Sequence, residues 1–304
     1  MKKRHLPLVL AVATSVVAIQ APALAQDAVV PASVAVNSGG KERIQISGKL
    51  RMLSQRIPSA VCHYVENLDK DAAAKLMVAA VAEFDTILDA IENGDASMNI
   101  TGEERDRKVL VALANVRETW APIKAAADAV AGGDTSAANV QTVLQSNMDL
   151  LDSTKLLVAE VVGEYSNPAE MVQAESMLID ISGRQRMLTQ KMSKEACILR
   201  SDFATEGTAE SLKGTMALFE TSLDALQNGM PEVGLRKPPT PAIAAGLGAV
   251  RENWKSVKPK LEAILAGGDL MEDAKAAKFG LLNKTMAHMN KVVIMYQDAV
   301  TRAL

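Results

Sequence analysis

The chain has 304 residues, with 33 Lys and Arg against 36 Asp and Glu and a formal net charge of −3. That balance excludes the domain-wide positive charge of a nucleic-acid-binding surface, so any anion site must be local. Aromatic residues are only 3%, and the alanine-rich, strand-poor sequence points to an all-α protein long enough for two domains of ordinary size.

Lys2, Lys3 and Arg4 precede an apolar run from Leu6 to Ile19, and Ala23-Leu24-Ala25 follows as a small-x-small cleavage site. Residues 1–25 therefore read as a secretory signal peptide, with Gln26 as the first mature residue. The run is shorter than the ~20 residues of a spanning helix. No lipobox cysteine sits near the cleavage site, and no later stretch is long and apolar enough to span. The expectation is a cleaved, periplasmic protein without a membrane span in the mature chain, whose charge is about −6 once the three leader cations are lost.

Residues 26–40 lack helical periodicity and read as a flexible lead. Helical patterns then run near 41–67, 70–93, 103–131 and 136–165, and again near 168–204, 208–228, 241–266 and 270–302. The breaks carry the expected punctuation at Asn93-Gly94, Gly132-Gly133-Asp134, Ser166-Asn167-Pro168, Asn228-Gly229, Pro238-Pro239 and Gly267-Gly268-Asp269.

The two sets of helices are copies of each other. ISGKLRMLSQR, from Ile46 to Arg56, recurs as ISGRQRMLTQK, from Ile181 to Lys191. Phe84 matches Phe219, Leu88-Asp89-Ala90 matches Leu223-Asp224-Ala225, and VRETW ending at Trp120 matches VRENW ending at Trp254. Four helices per copy with short loops predict two tandem up-down four-helix bundles, residues 41–166 and 167–304. If the Ser166-Asn167-Pro168 link turns, the fifth helix starts beside the first and runs parallel to it, giving an intramolecular pseudo-dimer. If the fourth and fifth helices fuse, the bundles stack end to end. Proline is tolerated in a first helical turn and disruptive further in, so Pro168 favours the turn.

On a helical projection, one face of the first copy carries Ser47, Gly48, Arg51, Ser54, Gln55 and Cys62. Ile46, Leu50, Leu53, Ile57, Ala60 and Tyr64 lie opposite as a core stripe. The second copy repeats the polar face with Ser182, Gly183, Arg186, Thr189, Gln190 and Cys197, against Ile181, Leu188 and Met192. Small residues admit a close neighbour, and a guanidinium offers fixed donors suited to an oxyanion. Two such faces in contact would set Arg51 and Arg186 around one anion, with the hydroxyls and the backbone near Gly48 and Gly183 completing the pocket. Without an anion the two arginines would repel.

The SGxxRMxSQR pattern resembles the motif that opens the PilJ-type domain, the sensor module of type IV pilus methyl-accepting chemotaxis transducers. It is also similar to the first-helix motif of NarX-type nitrate/nitrite sensor kinases. The match runs through Ser47, Gly48, Arg51, Met52, Ser54, Gln55 and Arg56, and again through Ser182, Gly183, Arg186, Met187, Thr189, Gln190 and Lys191. The resemblance implies a four-helix sensor bundle in which the arginine before Met, here Arg51 and Arg186, binds a nitrate or nitrite between two first helices. It also implies a signalling partner in the membrane, such as a receptor, sensor kinase or transporter. The copies differ at Pro58, where the second has Ser193, and at Lys191, where the first has Arg56. Pro58 is expected to interrupt the first motif helix.

Cys62 and Cys197 occupy equivalent positions, and an exported context permits a disulfide between them. Side-by-side helices would bring them together and stacked bundles would not; the alternative is two buried thiols. No CxxCH motif or Glu-x-x-His pair is present, so no cofactor is expected. Met286-Ala287-His288-Met289 offers soft copper ligands, but methionine at helical spacing reads first as core filling, as does His63. Trp120 and Trp254 read as packing anchors. Nothing resembles a nucleophile–base pair, so no enzymatic activity is expected. The second functional reading is a pilus- or chemoreceptor-associated interaction module without a small ligand, its arginines paired with partner carboxylates.

Overall fold

Helical periodicity becomes eight α-helices among the described residues of the computed structural model, which are 39–166, 173–268 and 272–302. The expected signal peptide, nearly all of the lead, Asn167-Pro168 in the link, and Asp269 lie outside them. The helices are α1 (Gly40–Val65), α2 (Lys70–Asn93), α3 (Arg107–Ala131), α4 (Ala137–Tyr165), α5 (Gln173–Ile198), α6 (Thr208–Asn228), α7 (Pro241–Leu265) and α8 (Glu272–Arg302).

Each bundle closes on apolar stripes at spacings of three and four residues. In α2 the buried set includes Met77, Ala80, Phe84, Ile87 and Ile91; in α3 it includes Val109, Leu113, Val116, Trp120, Ile123 and Val130. Phe84 packs at a tilt against Trp120 with ring centroids 4.3 Å apart, and the second bundle repeats the pair as Phe219 against Trp254 at 4.8 Å. Cross-links fix the antiparallel sense: Arg117 meets Asp89 and Glu92, whereas Trp120 and Lys124, further along α3, meet Asp85.

Two helix ends differ from expectation for local reasons. α3 starts at Arg107 because Asp106 caps it, accepting from the Lys108 and Val109 amides. Glu104, assigned to that helix by periodicity, instead turns inward. It accepts from the Tyr165 hydroxyl at 2.8 Å and lies 3.7 Å from the Arg43 guanidinium, tying the start of α1 to the end of α4. Burial, and next the hydrogen bond to Glu104, raise the Tyr165 pKa. α5 stops at Ile198 rather than 204, where Ser201 turns back to accept from the Phe203 amide. After Gly94 and Gly229, at φ 80° and 76°, each α2–α3 and α6–α7 connection forms a 3-10 turn closed by an isolated bridge, Asp95 with Ile100 and Met230 with Leu235. Only glycine takes that backbone conformation without strain.

Pro58 does not interrupt α1, which continues to Val65. Proline lacks the amide that would bond the Ser54 carbonyl, and the Gln55 side-chain amide donates to that oxygen at 3.3 Å.

The two bundles meet along α1 and α5, which run parallel and side by side. Contacts ascend both helices together: Arg56 to Gln190, Ser59 to Ser193 at 2.9 Å, and a disulfide joining Cys62 to Cys197 with Cα atoms 6.2 Å apart. α1 therefore packs against α2, α4 and α5, and nearly every residue from Ile46 to His63 is buried. The disulfide closes a loop of 135 residues, for which chain entropy gives up to about 5 kcal/mol, against the roughly 2–4 kcal/mol of a typical disulfide. Urea unfolding of oxidised and dithiothreitol-reduced protein should therefore differ by about 2–5 kcal/mol, and Cys62→Ser combined with Cys197→Ser should match the reduced protein.

Candidate anion site between α1 and α5

The parallel packing carries polar groups into a seam that would otherwise be apolar, and they separate into layers along the helices. The uppermost holds Gly48 and Arg51 from α1 with Gly183 and Arg186 from α5. Terminal nitrogens of both guanidiniums lie within 3.8 Å of the point where a Gly48 side chain would begin, and within 3.6 Å of the same point at Gly183. Each arginine thus lies over both glycines. An alanine methyl at either site would touch the guanidiniums, and a larger side chain would have to displace them.

The charges are not balanced. Arg51 donates to Asp180 at 2.9 Å, but Asp180 is also engaged by Arg184 at 2.6 Å. Arg186 has only a neutral acceptor, the Asn290 side chain at 2.8 Å. Both Nε atoms are buried without a hydrogen-bond partner. Arg51 is 7% exposed and Arg186 2%. Burial, and then the charge of Arg51, push the Arg186 pKa down to about 10, which still leaves it a cation at neutral pH. Arg51 shares Asp180 with the exposed Arg184, and Arg186 has only the field of Glu83 and no carboxylate hydrogen bond, which leaves a local surplus of positive charge in an otherwise acidic protein.

This pair forms part of the lining of a cavity of about 920 Å³ between the bundles, with walls from α1, α4, α5, α6 and α8. Ile44, Val158, Val162, Met187 and Val293 supply apolar wall, and Lys155 and Gln297 add polar groups.

The other residues expected at the site fall elsewhere. Ser47, Ser54, Ser182 and Thr189 each donate to the carbonyl three residues back in their own helix, at 2.7–3.0 Å. None lines the cavity. Gly48 and Gly183 sit inside unbroken helices, where their amides serve the helical ladder; they provide room rather than donors.

Gln55 and Gln190 form the layer below. Lys194 reaches across the seam from α5 to Gln55 Oε1 at 2.7 Å and Asn147 Oδ1 at 2.6 Å. Arg56 reaches the other way, to Gln190 Oε1 at 3.4 Å and the Met286 sulfur at 3.3 Å. Burial pushes the Lys194 ammonium down to about 8 and lowers Arg56 as well. Lys191, the counterpart of Arg56, stays within its own bundle on Glu195, Ser211 and Thr215. The Met286–Met289 stretch is packing: Met289 is fully buried, and His288 pairs with Asn253 at 3.0 Å. Among the described residues no group of three or more His, Cys, Asp or Glu side chains could hold a metal ion, and no helix is long and apolar enough to cross a membrane.

Asp180, Asn290, Asn147 and Lys194 were not legible as site residues. Asp180 is the counterpart of Gln45 and Lys194 of Ser59 at the 135-residue offset, so both differ in type from the copy they match. Such departures inside a repeated motif are the only sequence signal that marks them.

The motif and the bundle that surrounds it recur in known proteins. Residues 33–146 and again 170–279 match the PilJ family, described as the N-terminal part of type IV pili methyl-accepting chemotaxis transducers. The chain belongs to the PilJ family. A segment of 86 residues is 34% identical to the methyl-accepting chemotaxis protein McpN of Pseudomonas aeruginosa, covering 28% of this chain and 16% of that protein. The family is one of sensory, signalling modules, and this chain carries the PilJ pattern twice.

Lys194 supplies a check on the lower layer. Its folded pKa of about 8 lies below the ordinary 10.5, so between those values the unfolded chain binds more protons and stability rises with pH. Lys194→Met removes that contribution. The urea midpoint should rise less between about pH 7.5 and about pH 9.5 in Lys194→Met than in the parent protein.

Proposed function

We propose that this protein is a periplasmic sensor that binds a small oxyanion, nitrate or nitrite first among them, between α1 and α5 and reports occupancy to a membrane receptor, sensor kinase or transporter. The observation that carries this reading is the pair of buried guanidiniums over two glycines, of which Arg51 has Asp180 and Arg186 only the neutral Asn290 as hydrogen-bond partner. An anion between them would accept charge-assisted hydrogen bonds from both helices and offset their repulsion. Affinity would thereby couple to the α1–α5 packing, since only the assembled seam presents both cations. Membership of the PilJ family supports the sensory role, and the resemblance of the motif to that of nitrate sensors is the reason nitrate and nitrite are tried first. The apolar run and cleavage signature at the N-terminus support export.

Calorimetry on the mature protein with nitrate, nitrite, chloride and sulfate tests the reading. One anion per chain is expected, with affinity at least about tenfold weaker in Arg51→Ala and in Arg186→Ala. Replacing a buried, poorly compensated charge by an apolar residue of similar volume is neutral or stabilising, so the melting temperature without ligand should hold or rise in Arg186→Met. The rise in melting temperature that excess ligand gives the parent should disappear. Absence of binding by the parent protein, or unchanged binding in the double variant, would remove the reading. It would leave the arginines to pair with a partner's carboxylates instead.

A further inference from the structure

The cavity is much larger than a three- or four-oxygen anion. At about 920 Å³ it stands near the top of the ~300–1,000 Å³ range of pockets that enclose organic ligands, which are mostly apolar with a few polar groups that fix orientation. Its chemistry has the same division. The cations converge at Gly48 and Gly183 in the α1–α5 seam, whereas Ile44, Val158, Val162, Met187 and Val293 extend from α1, α4, α5 and α8. Val158, Met187 and Val293 are 6%, 7% and 1% exposed. An inorganic anion on the arginines would leave the rest of the cavity, with the apolar surface that its lining still exposes, unfilled.

We infer that the site takes an organic monocarboxylate with an apolar tail. The carboxylate lies on Arg51 and Arg186, and the tail lies along the α4 and α8 walls. This rests on the anion reading above and extends it from a charge to a ligand class. A planar carboxylate suits a pair of guanidiniums because it accepts from both at once through its two oxygens. A single negative charge also matches the imbalance, since Arg51 already has Asp180 whereas Arg186 bonds only the neutral Asn290. The tail would touch all the walls at once and so hold α4 of one bundle against α8 of the other. A ligand reaching α4 and α8 adds a second link between the bundles to the one that an ion makes at the seam.

Each methylene moved from water to an apolar wall contributes roughly a fourfold gain in affinity. Calorimetry on the unmodified mature protein, with nitrate, acetate, butanoate, hexanoate, octanoate and the neutral analogue hexanol, reads this directly. The expected result is an affinity rising roughly fourfold per added methylene from acetate to hexanoate, hexanol at least about tenfold weaker than hexanoate, and nitrate competing with hexanoate for one site. The length at which the gain stops separates short organic acids from long-chain fatty acids. Nitrate binding with carboxylate affinities that are flat or fall with length would overturn this inference and leave the small-oxyanion reading standing. Hexanol binding as tightly as hexanoate would overturn it by removing the charge requirement. Binding of neither nitrate nor any carboxylate would remove both readings.

Discussion

Arg51 and Arg186 are both drawn into the seam between α1 and α5, where each loses water and meets the other's charge. Such an arrangement persists only if the surroundings hold it in place. Here the apolar stripes of two bundles, the Ser59–Ser193 hydrogen bond and the Cys62–Cys197 disulfide hold the seam from the opposite end. Packing fixes the position of the two helices, and the arginines set a local repulsion within it. An anion that neutralised the pair, as proposed, would act at the contact that joins the two bundles. The seam is therefore the part of the molecule whose geometry is most open to control by a ligand.

The duplication makes this seam intramolecular, and fusion removes a constraint that identical subunits obey. In a symmetric pair, both sides of an interface carry the same residues. In this chain they have diverged. Asp180 supports Arg51, and its counterpart Gln45 cannot support Arg186 in the same way, so Arg186 rests on Asn290. Lys194 spans from α5 to α1 and α4, while its counterpart Ser59 makes a short hydroxyl contact. The charge surplus at the seam is thus uneven, larger on the Arg186 side.

The layer below has its own logic. Gln55 is asked to do two things: its amide group covers the carbonyl that Pro58 leaves without a donor, and its oxygen receives Lys194. Arg56 and Lys194 cross the seam in opposite directions and end on neutral acceptors. Buried cations without carboxylates cost stability, which the fold accepts at a position where they join the two bundles.

The sequence by itself determined the helices, their number and most of their ends, because apolar periodicity and Gly, Asn and Pro punctuation are local and occur twice. It also determined that Arg51 and Arg186 are equivalent and that each shares a helix face with a glycine and a cysteine. Where local rules failed, side chains had intervened: Glu104 left its helix for the distant Arg43 and Tyr165, and Pro58 was accommodated by Gln55 in the preceding turn of the same helix. Only the tertiary structure decided that the faces meet, that Asp180, Asn290 and Lys194 belong to the seam, and that the four hydroxyls bond their own helices. A helical projection gives the direction of a side chain but not the distance to another helix. Charge balance and cavity shape depend on that distance, so they were settled by how α1 and α5 pack.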